Sequence, residues 1–137
     1  LNLELLKKMA KIERFEDIEA WQKGRELTKI IYKITGQGDI AKDFALKDQL
    51  RRASISIMGN IAEGFEREGN KEFKQFLAMA KGSVGELKSH LYVALDAGKI
   101  SQPDFHQLMS LADETSRLIA GFLRYLKDSD HKGSKFK

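Results

Sequence analysis

Cysteine is absent from the chain and proline occurs once, at Pro103. Without a thiol there is no disulfide, thiolate zinc site, iron–sulfur cluster or cysteine nucleophile. The scarcity of proline, with no alternating valine- and threonine-rich runs, removes the usual signature of β-sheet proteins. Long apolar runs are missing too, and none approaches the roughly 20 residues of a bilayer-spanning helix. The first residues lack the order of a secretory signal, because Glu4, Lys7, Lys8, Lys11, Glu13 and Arg14 interrupt them. A reducing, cytoplasmic setting with no membrane partner is the resulting expectation.

What remains is 137 residues, 42% hydrophobic and 32% charged, enough for one domain with its own core. The net charge of +4 and a pI near 9.2 invite a nucleic-acid reading, so its distribution matters. Lys7 and Lys8 against Glu4 supply one charge, and Lys132, Lys135 and Lys137 against Asp128 and Asp130 supply another, leaving +2 for residues 9–127. The body of the chain is therefore nearly balanced.

Apolar residues recur every three or four positions, which predicts an all-α, up-and-down antiparallel four-helix bundle over residues 15–127. The helices are placed at about 17–35, 45–67, 71–98 and 103–127, with tails at 1–14 and 128–137. Breaks fall at Gly36 to Asp39, at Glu68-Gly69-Asn70 and at Gly98 to Gln102, with glycine where helices end. Asn70 is placed as the cap of the third helix, and Ser101, three residues before Asp104, as that of the fourth. Phe73, Leu77, Ala80, Val84, Leu87, Leu91 and Ala94 form one heptad seam, and Phe105, Leu108, Ala112, Thr115, Ile119, Phe122 and Leu126 a second.

Two features exceed what a monomeric bundle needs. Beside the core stripe Leu46, Leu50, Ala53, Ile57 and Ile61, the second helix carries another in Ile55, Met58, Ala62 and Phe65, and together they span roughly 200°. Leu118, Leu123 and Tyr125 broaden the fourth helix similarly. Contact with another subunit is the expectation, against partly buried boundaries of a single bundle. Opposite its seam the third helix presents Ala78, Gly82, Gly85 and Ser89. A helix-interior glycine costs about 1 kcal/mol relative to alanine, so Gly82 and Gly85 point either to a close-approaching helix or to tolerated surface glycines.

The stretch Gln49-Leu-Arg-Arg-Ala-Ser-Ile-Ser-Ile-Met-Gly-Asn-Ile-Ala-Glu-Gly64, followed by residues 71–87 and preceded by Phe15-Glu-Asp-Ile-Glu-Ala-Trp-Gln22, is the most distinctive part of the sequence. It resembles the four-helix-bundle proteins named for open reading frames in intervening sequences of bacterial 23S ribosomal RNA genes. The resemblance covers about residues 15–127 and is most specific at Arg51-Arg52-Ala53, Asn60 to Gly64, Ala80 to Ser83 and Glu86-Leu87. It implies a homopentamer, similar in architecture to the accessory protein of diversity-generating retroelements, which binds nucleic acid and a reverse transcriptase. It brings no established reaction, and a gene's location within an rRNA gene does not make its product a ribosomal component.

Catalytic and metal-binding patterns are lacking. A diiron bundle needs Glu-x-x-His on two helices, whereas Glu86 and His90 are four apart with no second histidine placed to join them. No histidine follows Arg51, Arg52, Arg67, Arg117 or Arg124 as a helical ribonuclease would require, and there is no phosphate loop or Ser/His/Asp set. No catalytic residue, metal or cofactor is expected. The polar face of the second helix holds Arg52, Ser56, Asn60, Glu63 and Arg67, read as a fixed network in which both arginines bracket Glu63 and Asn60 bonds across helices; a small binding site is the alternative. Arg25, Lys29 and Lys33 form an unbroken basic stripe on the first helix, a solvated face in one subunit but repeated in a ring. The leading expectation is a non-enzymatic homo-oligomeric scaffold binding RNA or DNA through this stripe, through Lys132, Lys135 and Lys137, and next through Arg51 and Arg52. The alternative is a protein–protein adaptor with no direct nucleic-acid role.

Overall fold

A computed structural model of the chain describes residues 3–131. Five α-helices run in order: α1 (Leu3–Ala10), α2 (Glu19–Thr35), α3 (Phe44–Glu66), α4 (Asn70–Asp96) and α5 (Gln102–His131), with 3₁₀ turns at Phe15–Asp17 and Asp39–Lys42. Every residue of the two predicted seams on α4 and α5 is buried, and so is the core stripe of α3. Ala20, Gly24, Leu27 and Ile31 of α2 complete the interior. Contacts join α2 to α3, α3 to α4, α4 to α5 and α5 back to α2, which is a square of antiparallel neighbours. The register follows from single pairs: Gly24 faces Met58, Ser56 faces Ser83, Lys88 faces Asp113 and Lys23 closes the ring on Glu114.

The helix ends are set locally. Asp43 accepts the Leu46 N–H at 3.2 Å to start α3, and Ser101 accepts the Asp104 N–H at 3.2 Å to start α5. Gly98, at φ +68°, ends α4. Its N–H bonds the Leu95 carbonyl at 3.0 Å while Lys99 N–H reaches the Ala94 carbonyl at 2.8 Å, the paired bonds of a Schellman motif that needs a left-handed residue there. Asn70 is not the cap expected for α4. Gly69 holds that position at φ +89°, and Asn70 is the first helical residue, buried at the corner.

Among the described residues, the segments flanking the expected bundle are helical on both sides. The boundary at 127 falls inside α5, which continues to His131. Residues 3–10 form a helix, and Met9 and Ile12 are buried against the bundle. With Ala20, Leu118 and Phe122 they line a cavity of about 380 Å³, so the extra apolar width of α5 is covered partly by the segment read as a tail. The turn that brings this segment back is tied by Asp17, whose carboxylate accepts the N–H groups of Glu13 (3.2 Å) and Arg14 (3.3 Å). The Glu13 amide, more than the Arg14 charge, holds the Asp17 carboxyl below its ordinary value of 3.8. A depressed carboxyl contributes stability that is complete above the unfolded pKa and is lost as pH falls through the folded one. We expect an NMR titration to show the Glu13 and Arg14 amides shifting together with Asp17, at a midpoint below 3.8. Amides that ignore the titration would contradict this tie.

Candidate nucleic-acid interface

The polar stripe on α3 divides into three local arrangements. Arg52 pairs with Asp48 one turn back, at 2.8 Å. Arg67 pairs with Glu63 at 2.5 Å and lies 3.7 Å from Glu72 of α4. The expected bracketing of Glu63 by both arginines is therefore corrected: an i,i+4 partner was available to Arg52, and it lies nearer than Glu63. The α3–α4 crossing is made by Ser56, whose Oγ is 2.9 Å from Ser83 Oγ. Asn60 does not cross; its amide donates to the carbonyl and Oγ of Ser56, at 2.9 and 3.1 Å. Ser83 can donate to the Met79 carbonyl at 3.2 Å, which gives one directed chain from Asn60 through Ser56 and Ser83 to that carbonyl. Each hydroxyl donates once and accepts once, and the half-buried chain fits a structural role.

The second apolar stripe of α3 is only partly open. Met58 packs on Gly24, where a Cβ would lie 3.3 Å from Met58 Cγ. Phe65 meets Phe73 edge-on at 5.9 Å. Both are half-buried within this chain, as is Ala62, so only Ile55, at 47% exposure, stands clear. The wide arc is thus used partly by α2 and α4 of the same chain. On α4, Ala78, Gly82, Gly85 and Ser89 are all exposed beside Met79, Tyr92 and Val93, and nothing lies within 4 Å of a Cβ built on either glycine.

Arg25, Lys29 and Lys33 are all exposed on α2. The Arg25 guanidinium sits over Trp21, 5.7 Å from the ring centroid, and among the described residues no carboxylate pairs with any of the three. Four other cations of the bundle are paired: Lys23 with Glu26 and Glu114, Lys88 with Asp113, Arg52 with Asp48 and Arg67 with Glu63. The shared pairing with Glu114 and Glu26 also holds Lys23 above its ordinary pKa. Arg51 is a different case. Its Nε donates to Thr35 Oγ1 at 2.8 Å, its Nη2 to the Tyr32 carbonyl at 3.4 Å, and its guanidinium lies 4.2 Å from the Tyr32 ring centroid. It is therefore held in place by neutral groups and keeps its whole charge. The aromatic residues beside these cations, Trp21, Tyr32 and Phe44, escaped the sequence reading; an aromatic side chain next to a helix end was their only signal. Lys132, Lys135 and Lys137 lie outside the described residues.

Among the described residues no three His, Asp or Glu side chains are grouped to hold a metal ion, and no helix is long and apolar enough to cross a membrane. His90 Nε2 is buried without a hydrogen-bond partner.

The class defined by this geometry is an up-and-down four-helix bundle with a row of exposed cations along α2 that no carboxylate of the described residues pairs. The model of the 23S rRNA-intervening sequence protein family matches residues 16–121, and the chain belongs to that family. A solved structure from Bacteroides thetaiotaomicron, described as a protein with unknown function from the S23 ribosomal protein family, is similar with a TM-score of 0.69. It is 20% identical, and the alignment covers 76% of this chain and 97% of that one, so the likeness supports the fold. No curated protein matches the chain.

Proposed function

We propose that this protein is a non-enzymatic homo-oligomeric scaffold, most simply a pentamer, that binds RNA or other nucleic acid through repeated basic stripes. The observation that carries the reading is the row Arg25, Lys29 and Lys33, exposed at four-residue spacing and left without carboxylate partners while Lys23 of the same helix is paired. An exposed unpaired cation gives up little on meeting a phosphate, because no existing ion pair has to be broken. One copy is too nearly neutral for tight binding at physiological salt. A closed ring repeats the stripe and converts weak contacts into avidity. Support for self-assembly comes from the open face of α4, where Gly82 and Gly85 leave space beside Met79, Tyr92 and Val93, each more than half exposed.

The test is a titration of labelled RNA with wild-type protein and with Arg25, Lys29 and Lys33 all changed to glutamine. Each phosphate contact steepens the dependence of log affinity on log salt by roughly 0.7 to 0.9. The variant should therefore bind about tenfold or more weakly at low salt and show a slope flatter by about two units. Unchanged affinity and slope in a folded variant would remove the stripe from the interface. If the intact oligomer binds no RNA at all, the exposed Ile55, Met79, Tyr92 and Val93 favour the protein-adaptor reading.

A further inference from the structure

The junction between the C-terminal end of α2 and the start of α3 has chemistry that the α2 stripe lacks. Phe44, the first residue of α3, is 75% exposed, and Tyr32 on α2 is 41% exposed. Leaving large aromatic faces in water is unfavourable for a monomer, and each of these carries a cation. Arg51 lies 4.2 Å from the Tyr32 ring centroid, and Lys47 Nζ lies 5.9 Å from that of Phe44. Phe44, Lys47 and Arg51 share a shallow concavity of about 490 Å³ with Ala45 and Asp48.

The charge around it is not self-cancelling. Asp48 is taken by Arg52 at 2.8 Å, and Asp43, which caps α3 through the Leu46 N–H and keeps its charge, offsets only one of the cations Lys33, Lys42, Lys47 and Arg51. Among the described residues no carboxylate pairs with Lys33, Lys42, Lys47 or Arg51. The patch therefore combines exposed aromatic faces, a guanidinium fixed in place by Thr35 and Tyr32, and a surplus of free cations. Single-stranded nucleic acid is the partner with matching chemistry: its unpaired bases stack on aromatic rings and guanidinium planes while its phosphates meet the cations. A duplex keeps its base faces stacked inside and offers only phosphate. An acidic protein would satisfy the charge but has no comparable use for two open rings flanked by cations.

We infer that the α2–α3 junction is a stacking site for single-stranded RNA, with unpaired bases on Phe44 and on the Tyr32–Arg51 platform and phosphates on Lys33, Lys42 and Lys47. The inference rests on the nucleic-acid reading above and narrows it to unpaired strands with little sequence preference. Lys33 belongs to both surfaces, so a strand leaving the junction continues onto Lys29 and Arg25.

The test uses the full chain and three labelled probes of equal length at about 50 mM salt: a single-stranded oligouridylate, an abasic phosphodiester strand and an RNA duplex. Stacking on an aromatic side chain contributes about 1–3 kcal/mol per base, so the wild type should prefer the oligouridylate to the abasic strand by about tenfold or more. In the Phe44→Leu, Tyr32→Leu double variant that preference should collapse, while affinity for the abasic strand and the mass by light scattering stay the same. Equal wild-type binding of the base-bearing and abasic strands overturns the stacking site but leaves the charged stripe standing. Binding to none of the probes overturns the nucleic-acid reading itself. A double variant that keeps the tenfold preference, or that changes assembly mass without changing the preference, overturns the inference and in the second case makes the patch a contact between copies.

Discussion

Gly64→Ala should destabilise the protein by about 1–2 kcal/mol, although alanine is the better helix former by about 1 kcal/mol. A Cβ at this position would lie 2.6 Å from Phe76 Cβ, 3.0 Å from Phe73 Cδ1 and 3.4 Å from the Phe73 carbonyl oxygen. Phe76 Cβ is bonded directly to the backbone and cannot rotate aside, so α3 and α4 must separate at their crossing. That crossing also seats the edge-on stack of Phe73 against Phe65 and Phe122, at 5.9 and 5.3 Å. The control is Gly59→Ala, one and a half turns earlier on α3, where a Cβ meets nothing within 4 Å. That change should stabilise by up to about 1 kcal/mol through helix propensity alone. Chemical denaturation of both variants checks the pair. Equal effects would mean that α3 and α4 do not pack with Gly64 at their contact.

The second large effect concerns Gly82. Its exposed position has open space around it within one chain, so leucine there has no intramolecular clash and gains about 0.8 kcal/mol in helix propensity. Any harm must then come from another copy. We expect Gly82→Leu to keep a folded, thermally robust bundle and to lose its assembly, with Gly82→Ala milder. Light scattering coupled to gel filtration reads the outcome as mass. A wild-type protein with the mass of one chain across micromolar concentrations, or a Gly82→Leu variant that assembles as before, removes α4 as the contact face.

The separation between these two glycines also shows what periodicity reports and what it misses. Residues 73–94 and 105–126 repeat apolar side chains so regularly that their burial was legible in full, and the four helix spans lie within a few residues of α2 to α5. Contact distance was not legible: Gly64, inside the most recognisable motif, is the most closely surrounded of the described glycines, whereas Gly82 and Gly85 lie open. The N-terminal segment was missed for a different reason. A helix of eight residues has little stability in isolation, and lysines dilute its apolar spacing; Met9 and Ile12 become informative only once Leu118 and Phe122 stand opposite them. On the polar face of α3, spacing placed Arg52, Ser56, Asn60, Glu63 and Arg67 together but did not choose partners. Asp48 and Ser83 lay outside that set and took two of them. Tyr32 and Phe44 sit near the ends of α2 and α3, where neither seam nor stripe signals exposure.

The most direct test of the proposed nucleic-acid binding by a multivalent assembly is a salt series on the wild-type protein, its mass measured in the same buffer. Labelled single-stranded RNA is titrated between about 50 and 200 mM salt, and log affinity is plotted against log salt. Binding at the lower salt with a slope of at least about −2, equivalent to three or more phosphates at roughly 0.7 each, is the expected result. An intact oligomer that binds nothing at about 50 mM salt, or that binds with an affinity indifferent to salt, would contradict it.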